Sequence, residues 1–344
     1  MKILIIGHLG YVGPAVLDQL LKNKDYNLIG IDTKYFYKKK FFLNFKNKIK
    51  NIYKDVRDID KNDLIGIDQI IYLAAISNDP MGNTFKKITH EINYKSAIRI
   101  AKLAKKNNVK KFIFASSCSI YGFTKNLTKS EASKLNPLTA YAKSKVLSEK
   151  KLKIISDKNF KVFCLRFATA CGYSTNLRLD LVLNDFVASA ITTKKLKVLS
   201  DGSPWRPLIH VNDMARAINW AIEEKRIINF ISLNAGSNNM NYQIKDLAYK
   251  VANLIRGTKV YINKKALPDR RSYKVNFSKF QNLNRDFKPI YNLEKSIIDL
   301  KKNLMAKKFK IKNFRNTNYI RLNVLKKLVD KKILNKNMRW NKLK

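Results

Sequence analysis

Cysteine is scarce in this 344-residue chain: Cys118, Cys164 and Cys171 form no metal-ligand spacing, and their odd number leaves one thiol over. A disulfide framework is disfavoured, and a reducing compartment is the simpler expectation. Histidine is equally sparse, with only His8, His90 and His210, scattered along the chain. No metal is expected. No run approaches the roughly 18 apolar residues of a membrane span, and the apolar N-terminus is too short for the core of a signal peptide. A cytoplasmic protein without membrane association is the expectation that follows.

Acids are the third shortage, 25 against 70 lysines and arginines, a formal net charge of +45. Basicity of that size ordinarily points to nucleic acid or an anionic surface. Yet only 14 of the 70 are arginines, and lysine comes with abundant asparagine and isoleucine, the trio that AT-rich codons supply. The lysines concentrate at 34–54 and from 301 onward, and neither stretch shows an aromatic-basic stacking module. Codon-driven composition is therefore the preferred reading, and no nucleic-acid partner is expected. A positive field would still draw in a doubly charged ligand. The hydrophobic content of 45% suffices for one large or two modest domains.

The informative patterns begin at residue 1. Lys2-Ile3-Leu4-Ile5-Ile6 reads as a strand buried on both faces. It runs into Gly7-His8-Leu9-Gly10-Tyr11-Val12-Gly13 and then a helical pattern through Leu17, Leu20 and Leu21. Strand, glycine turn and helix in that order are the context of a dinucleotide fingerprint, with the pyrophosphate at the helix N-terminus. A second strand, Asn27-Leu28-Ile29-Gly30-Ile31, ends in Asp32. That carboxylate falls about 20 residues beyond the glycine loop, where an acid meets the adenosine ribose and repels a 2′-phosphate, favouring NAD over NADP. In the middle of the chain Tyr141 and Lys145 stand four apart, one face of a helix, downstream of Ser116-Ser117-Cys118-Ser119-Ile120-Tyr121-Gly122. An ammonium beside a phenol lowers the phenol's pKa, which suits it to take a proton from a sugar hydroxyl.

The G-x-x-G-x-x-G spacing with Tyr-x-x-x-Lys downstream resembles the extended short-chain dehydrogenase/reductase family, in its nucleotide-sugar epimerase and dehydratase branch. The resemblance covers nearly the whole chain. It implies that Gly7, Gly10, Tyr11, Val12, Gly13 and Asp32 bind NAD, with Asp55 and Val56 at the adenine and Leu73, Ala74 and Ala75 under the cofactor. It casts Ser117, Tyr141 and Lys145 as catalytic, with Asn93 as the structural active-site asparagine. The run Trp205 to Asp213 resembles the substrate-domain signature in which Arg206 meets a diphosphate, and Asp269 to Tyr273 resembles a second phosphate-binding stretch with Arg270 and Arg271. Arg178 should lie near the substrate, in a run similar to one in bacterial proteins associated with surface polysaccharides. After the fourth strand, Asn78 or Asp79 contacts the sugar, or Asn78-Asp79-Pro80 only shapes the turn. A nucleotide-sugar substrate and a homodimer are further implications.

The serine loop separates the reactions. Similar dehydratases carry an Asp-Glu pair just after the catalytic serine or threonine, where this chain has Cys118 and Ser119, so 4,6-dehydration is disfavoured. Enzymes that epimerise carbons 3 and 5 carry a cysteine two residues before the loop tyrosine; here that position is Ser119. What remains is 4-epimerisation through a 4-keto intermediate, by hydride removal and return, or reduction of a keto sugar. Asp32 argues for NAD, and hence for the 4-epimerase.

Strands expected at 2–6, 27–31, 69–73, 111–115 and 161–165 alternate with helices at about 12–23, 84–107 and 140–156, the pattern of a Rossmann-like doubly wound parallel sheet. A helix from Met214 to Glu224 and a strand from Asn229 to Leu233 return to that sheet. The expected division is 1–165 with 208–235 as the NAD-binding domain, 166–207 with 236–305 as the substrate domain, and 306–344 as a basic amphipathic appendage packed on the body or on a second subunit.

Overall fold

The computed structural model describes residues 1–36, 45, 47–123, 128–266, 271–285 and 287–341. Seven short strands carry the frame: β1 Lys2–Ile6, β2 Asn27–Asp32, β3 Lys50–Tyr53, β4 Gln69–Tyr72, β5 Lys111–Ser117, β6 Lys161–Phe167 and β7 Phe230–Ala235. They form one sheet in the order β3-β2-β1-β4-β5-β6-β7, every neighbouring pair parallel. The Rossmann-like expectation is met, and the order reverses between β1 and β4, where such sheets open a ligand crevice.

Alternation along β1 shows how the sheet is held. Ile3 and Ile5 enter the apolar layer with Val16, Leu17 and Leu20 of the helix Gly13–Leu20, joined by Met214 and Ile218 of the helix Val211–Glu223. Leu4 and Ile6 enter the opposite layer with Ile100, Ala101 and Ala104 of the helix Ala97–Lys106, and with Leu152 of the helix Ala140–Ile155. Each of these leucine, isoleucine, valine and methionine side chains contributes roughly 1.5–3 kcal/mol by leaving water, and the alanines less.

A smaller α/β region has its own core. Leu183 and Val187 of the helix Val182–Thr193 meet Leu247 and Val251 of Ile244–Leu254 and Ile297 and Leu300 of Leu293–Ala306. The strand Trp205–His210 lies between Thr169–Cys171 and Asn241–Gln243, and Lys195–Val198 pairs with Lys259–Ile262. Among the described residues no helix is long and apolar enough to cross a membrane.

The structure adds one strand and refines two further readings. The strand β3 falls in the segment read as a concentration of lysines, because an edge strand with one half-buried face carries little apolar signal. The helix expected over 84–107 runs unbroken from Lys86 to Lys106 with a π-helical turn, Glu91–Ser96, inside it, and a separate short helix, Asp79–Thr84, precedes it. Among its described residues the appendage holds one α-helix, Arg321–Asp330, after a 3-10 turn at Phe314–Asn316, and it packs on the body, Leu325, Leu334 and Met338 entering the layer of Leu4 and Ile6.

Candidate active site

At the switch point the chain leaves β1 through Gly7, whose φ of +93° suits glycine alone, and a Cβ there would stand 2.5 Å from Ala74 N. The glycine turn thus lies flush against the segment after β4, whose Leu73 and Ala74 amides both donate to Ile6 O. At Gly13 a Cβ would collide with His8 O, so the helix can start directly under the loop. Asp32 ends β2 with its carboxylate fixed, one oxygen accepting from Leu9 N at 3.0 Å and the other from Lys34 N at 2.8 Å. One cavity of about 990 Å³ runs from this corner across the sheet edge. Gly7, Gly10, Tyr11, Val12, Gly13, Asp32, Asp55, Val56, Leu73, Ala74 and Ala75 all line it. A close-packed backbone cradle with an acid at the end of β2 is the donor set a dinucleotide needs, so these residues fit NAD.

Ser117, Tyr141 and Lys145 line the same cavity further along. Ser117 ends β5, and Tyr141 and Lys145 sit on the helix Ala140–Ile155, capped by Thr139, whose Oγ1 accepts from Ala142 N at 3.1 Å. Asn93 lies in the π-helical turn, fully buried and off the cavity wall: Nδ2 donates to Ile76 O and Ser144 Oγ, and Oδ1 accepts from Ile76 N. It pins the segment after β4 to the helix of Tyr141, a positioning task. π-turns commonly mark such sites.

The electrostatics depart from the sequence expectation. Burial raises Tyr141 to about 12, with Ser117 the first group to pull it back. Lys145, itself buried, is brought down to about 7 by burial; its Nζ donates to Ala115 O at 2.7 Å and stands 5.6 Å from the centre of the Tyr141 ring. In the protein alone, loss of water outweighs the expected help from the ammonium, and the phenol keeps its proton at neutral pH.

Other candidates are brought to the cavity but already engaged. Arg178 grips Asp180 with Nε and Nη2 at 2.9 and 3.0 Å and reaches Ser77 Oγ with Nη1. Asn78 caps the helix Asp79–Thr84, accepting from Met81 N, and donates to Asp180 Oδ2 at 2.8 Å. Arg271 lies 2.9 Å from Asp79 Oδ2, and Arg206 donates to Trp205 O with its guanidinium over Tyr273. Arg270 falls outside the described residues. Cys118 is fully buried, its thiol donating to Arg166 O and pushed well above the ordinary range by burial.

With this geometry in place, comparison with known proteins is decisive: a model of the NAD dependent epimerase/dehydratase family matches residues 3–236. The chain belongs to that family. It is an enzyme, and NAD is its cofactor. Among curated proteins it is similar to an uncharacterized UDP-glucose epimerase, YtcB, of Bacillus subtilis, 29% identical over 241 residues, 66% of this chain and 74% of that one. A putative UDP-glucose 4-epimerase of Methanocaldococcus jannaschii is 26% identical over 64% of this chain and 74% of its own length. Solved structures share the family's fold: a UDP-N-acetylglucosamine 4-epimerase from Methanobrevibacter ruminantium superposes with a TM-score of 0.79 at 21% identity, over 90% of this chain and 99% of that one. A UDP-glucuronic acid 4-epimerase from Bacillus cereus, in complex with NAD, gives 0.75 at 22%, over 87% and 94%.

For this family member the sequence left some of the wall unseen. Arg315, Ile320 and Arg321 come from the C-terminal segment, beyond the matched residues, and no motif announces them. Thr139, in contrast, carried a signal: a threonine just ahead of a helical pattern is a cap.

Proposed function

We propose that the protein is a nucleotide-sugar 4-epimerase acting through a 4-keto intermediate. One observation carries the choice of reaction within the family: among the described residues, every carboxylate lining the cavity is already engaged. Asp32 holds two backbone amides, Asp55 is gripped by Arg57, Asp79 by Thr139 and Arg271, Asp180 by Arg178 and Asn78, and Asp185 by Arg315. Removal of water from a sugar needs an acid and a base to spare. None of these five is spare, and the buried Cys118 thiol offers no proton at carbon 3 or 5.

The residues left to do chemistry are Ser117, Tyr141 and Lys145. Tyr141 exchanges the proton of the sugar 4-hydroxyl, and Ser117 hydrogen-bonds the same oxygen as its charge changes. Lys145 governs the charge around the phenol through its own protonation. The chemistry NAD supplies when bound is to take the carbon-bound hydrogen as hydride and return it to the other face. Arg206 and Arg271 hold the substrate diphosphate, which suits planar guanidinium groups. The UDP sugars in the names of the relatives make UDP the first nucleotide to try, and sugars of surface polysaccharides the first products to seek.

The test is incubation with UDP-, GDP-, CDP- and dTDP-sugars in D₂O without added cofactor, followed by mass spectrometry and proton NMR. A stereoisomer with no carbon-bound deuterium supports 4-epimerisation. Deuterium at carbon 3 or 5, loss of water, or turnover only of keto sugars with added reduced cofactor would each overturn it.

A further inference from the structure

The C-terminal segment reaches the adenosine end of the cavity and brings a cation there. Trp340 Nε1 donates to Thr33 O at 2.7 Å, Tyr35 donates its hydroxyl to Met338 O, and Arg57 donates to Asn337 O and Met338 O at 2.7 and 3.0 Å. Arg57 also holds Asp55, so the adenine-side wall and the segment 337–340 are tied through one guanidinium. Inside this strap stands Arg321, 3% exposed, lining the cavity, its guanidinium 4.0 Å from the centre of the Phe36 ring.

Arg321 is short of anions. Its one hydrogen bond runs from Nη2 to Asn176 O at 3.2 Å, and it makes no ion pair among the described residues. The carboxylates that act on it, Asp180 and Asp32, are committed to Arg178 and Asn78 and to the Leu9 and Lys34 amides. Burial depresses its pKa to about 9, the mark of a cation without sufficient partners. A buried charge is costly unless paired, and here the open side is the cavity. The same cavity is lined by Gly10 to Gly13 of the glycine loop, and the loop, His8 to Gly13, has no lysine or arginine of its own. Asn176 joins the two, its amide donating to Leu9 O in the loop and to Phe36 O.

We propose that Arg321 binds a phosphate of the NAD diphosphate, so that the C-terminal segment supplies the cation the glycine loop lacks. The ribose 2′ position is the wrong address for an added anion, because Asp32 stands there. Backbone amides and a helix N-terminus offer only partial charges to a dianion, and a guanidinium opposite them completes the cradle. The appendage is then part of the cofactor site and not only a packing element. This rests on NAD as cofactor and not on which sugar is turned over, so it can fail while 4-epimerisation stands, and the reverse.

The full-length protein, stripped of NAD, is titrated by calorimetry with adenosine, ADP, NAD and NADP. Arg321→Gln is expected to weaken ADP and NAD by about tenfold or more, the scale of a charge-assisted hydrogen bond, with adenosine unchanged. Arg321→Lys should fall between, since an ammonium keeps the charge and loses the planar fork. Equal losses for adenosine and ADP, or no loss for ADP, would overturn the proposal. So would a loss confined to NADP, which would place the guanidinium at the ribose 2′ position. If Arg321→Gln does not fold, the ADP-to-adenosine comparison in Arg321→Lys decides by the same criteria.

Discussion

Thr139 Oγ1 donates to Asp79 Oδ1 at 2.6 Å while accepting from the Ala142 amide, and Asp79 Oδ2 takes Arg271 Nη1 at 2.9 Å. One hydroxyl thus caps the helix of Tyr141, fixes the turn after β4 and, through Asp79, orients an arginine of the cavity wall. Thr139→Ala should cost about 1 kcal/mol for the lost cap. It should also raise KM for the nucleotide sugar more than it lowers kcat, because Arg271 loses a fixed partner while Tyr141 keeps its helix. Thermal melting and steady-state kinetics read the two effects, and Thr139→Ser should restore both. A fall in kcat with KM unchanged would contradict the assignment.

Tyr141 holds its proton in the unliganded protein because burial raises it to about 12. If it exchanges the 4-hydroxyl proton, Tyr141→Phe should lower kcat by roughly 10²–10⁴-fold, the ordinary worth of a positioned acid-base group. Calorimetric affinity for the nucleotide sugar should be unchanged. Turnover of the parent should rise with pH across the neutral range, since the ionised fraction grows below the pKa, and the residual rate of Tyr141→Phe should not follow it.

Lys145 gives a sharper pH signature, in stability. Burial moves it from 10.5 to about 7 in the cofactor-free protein. Below pH 7 folded and unfolded chains both carry the proton, and the cost of burying the charge is present in full. Between pH 7 and 10.5 the unfolded chain binds a proton that the folded one has released, so stability rises with pH, by at most about 1.4 kcal/mol per unit. Lys145→Met lacks this contribution. Its stability relative to the parent, from urea denaturation of the stripped proteins, should be greatest near pH 6 and decline toward pH 10. Lys111, lowered to about 8 by burial, titrates with the same sign in both proteins and drops out of the difference. A flat difference would show that Lys145 is not depressed.

The sheet was legible because its strands are nearly pure apolar runs, and the cofactor corner because glycines and an acid have few other reasons to stand at those spacings. Four things were not. The strand β3 is an edge strand written in lysine and asparagine. The direction of the Tyr141 shift depends on burial, which spacing along a helix does not reveal. Arg321 lies in a segment whose periodicity speaks only of one apolar face; that the first residue of its helix lines a cavity whose wall begins at Gly7 is a tertiary fact. Arg178 was legible as a residue near the site, but its bidentate grip on Asp180 was not, since two charges spaced i,i+2 meet only in a non-helical turn.

Cys118 is the test of the serine loop. With its side chain fully buried and its Sγ on Arg166 O, it should resist iodoacetamide in the native protein and react once denatured. Cys118→Ala should retain 4-epimerisation, because no proton passes through the thiol. Loss of turnover in a variant that melts like the parent, together with deuterium at carbon 3 or 5 in the parent's product, would return the cysteine to the mechanism.

Behind the loop, Glu149 on the helix of Tyr141 accepts from Arg166 Nε and Nη2 at 3.0 and 2.7 Å, and from Ser116 Oγ on the strand that carries Ser117. Arg166 Nη1 continues to Tyr121 OH, and Tyr121 donates to Asn234 Oδ1 on β7. The ion pair is almost dry, with side chains 5–7% exposed, so its two members are worth little as a pair and cost much apart. Arg166→Met should destabilise by about 3–5 kcal/mol, because it strands a buried carboxylate. Arg166→Met with Glu149→Leu should recover most of that loss, which urea denaturation of the two variants against the parent will show. Because Glu149 also sets the height of Ser116 against the helix, the double variant should regain stability without regaining kcat. Full recovery of both would mean that the pair serves the core alone and that Ser117 is placed by β5 unaided.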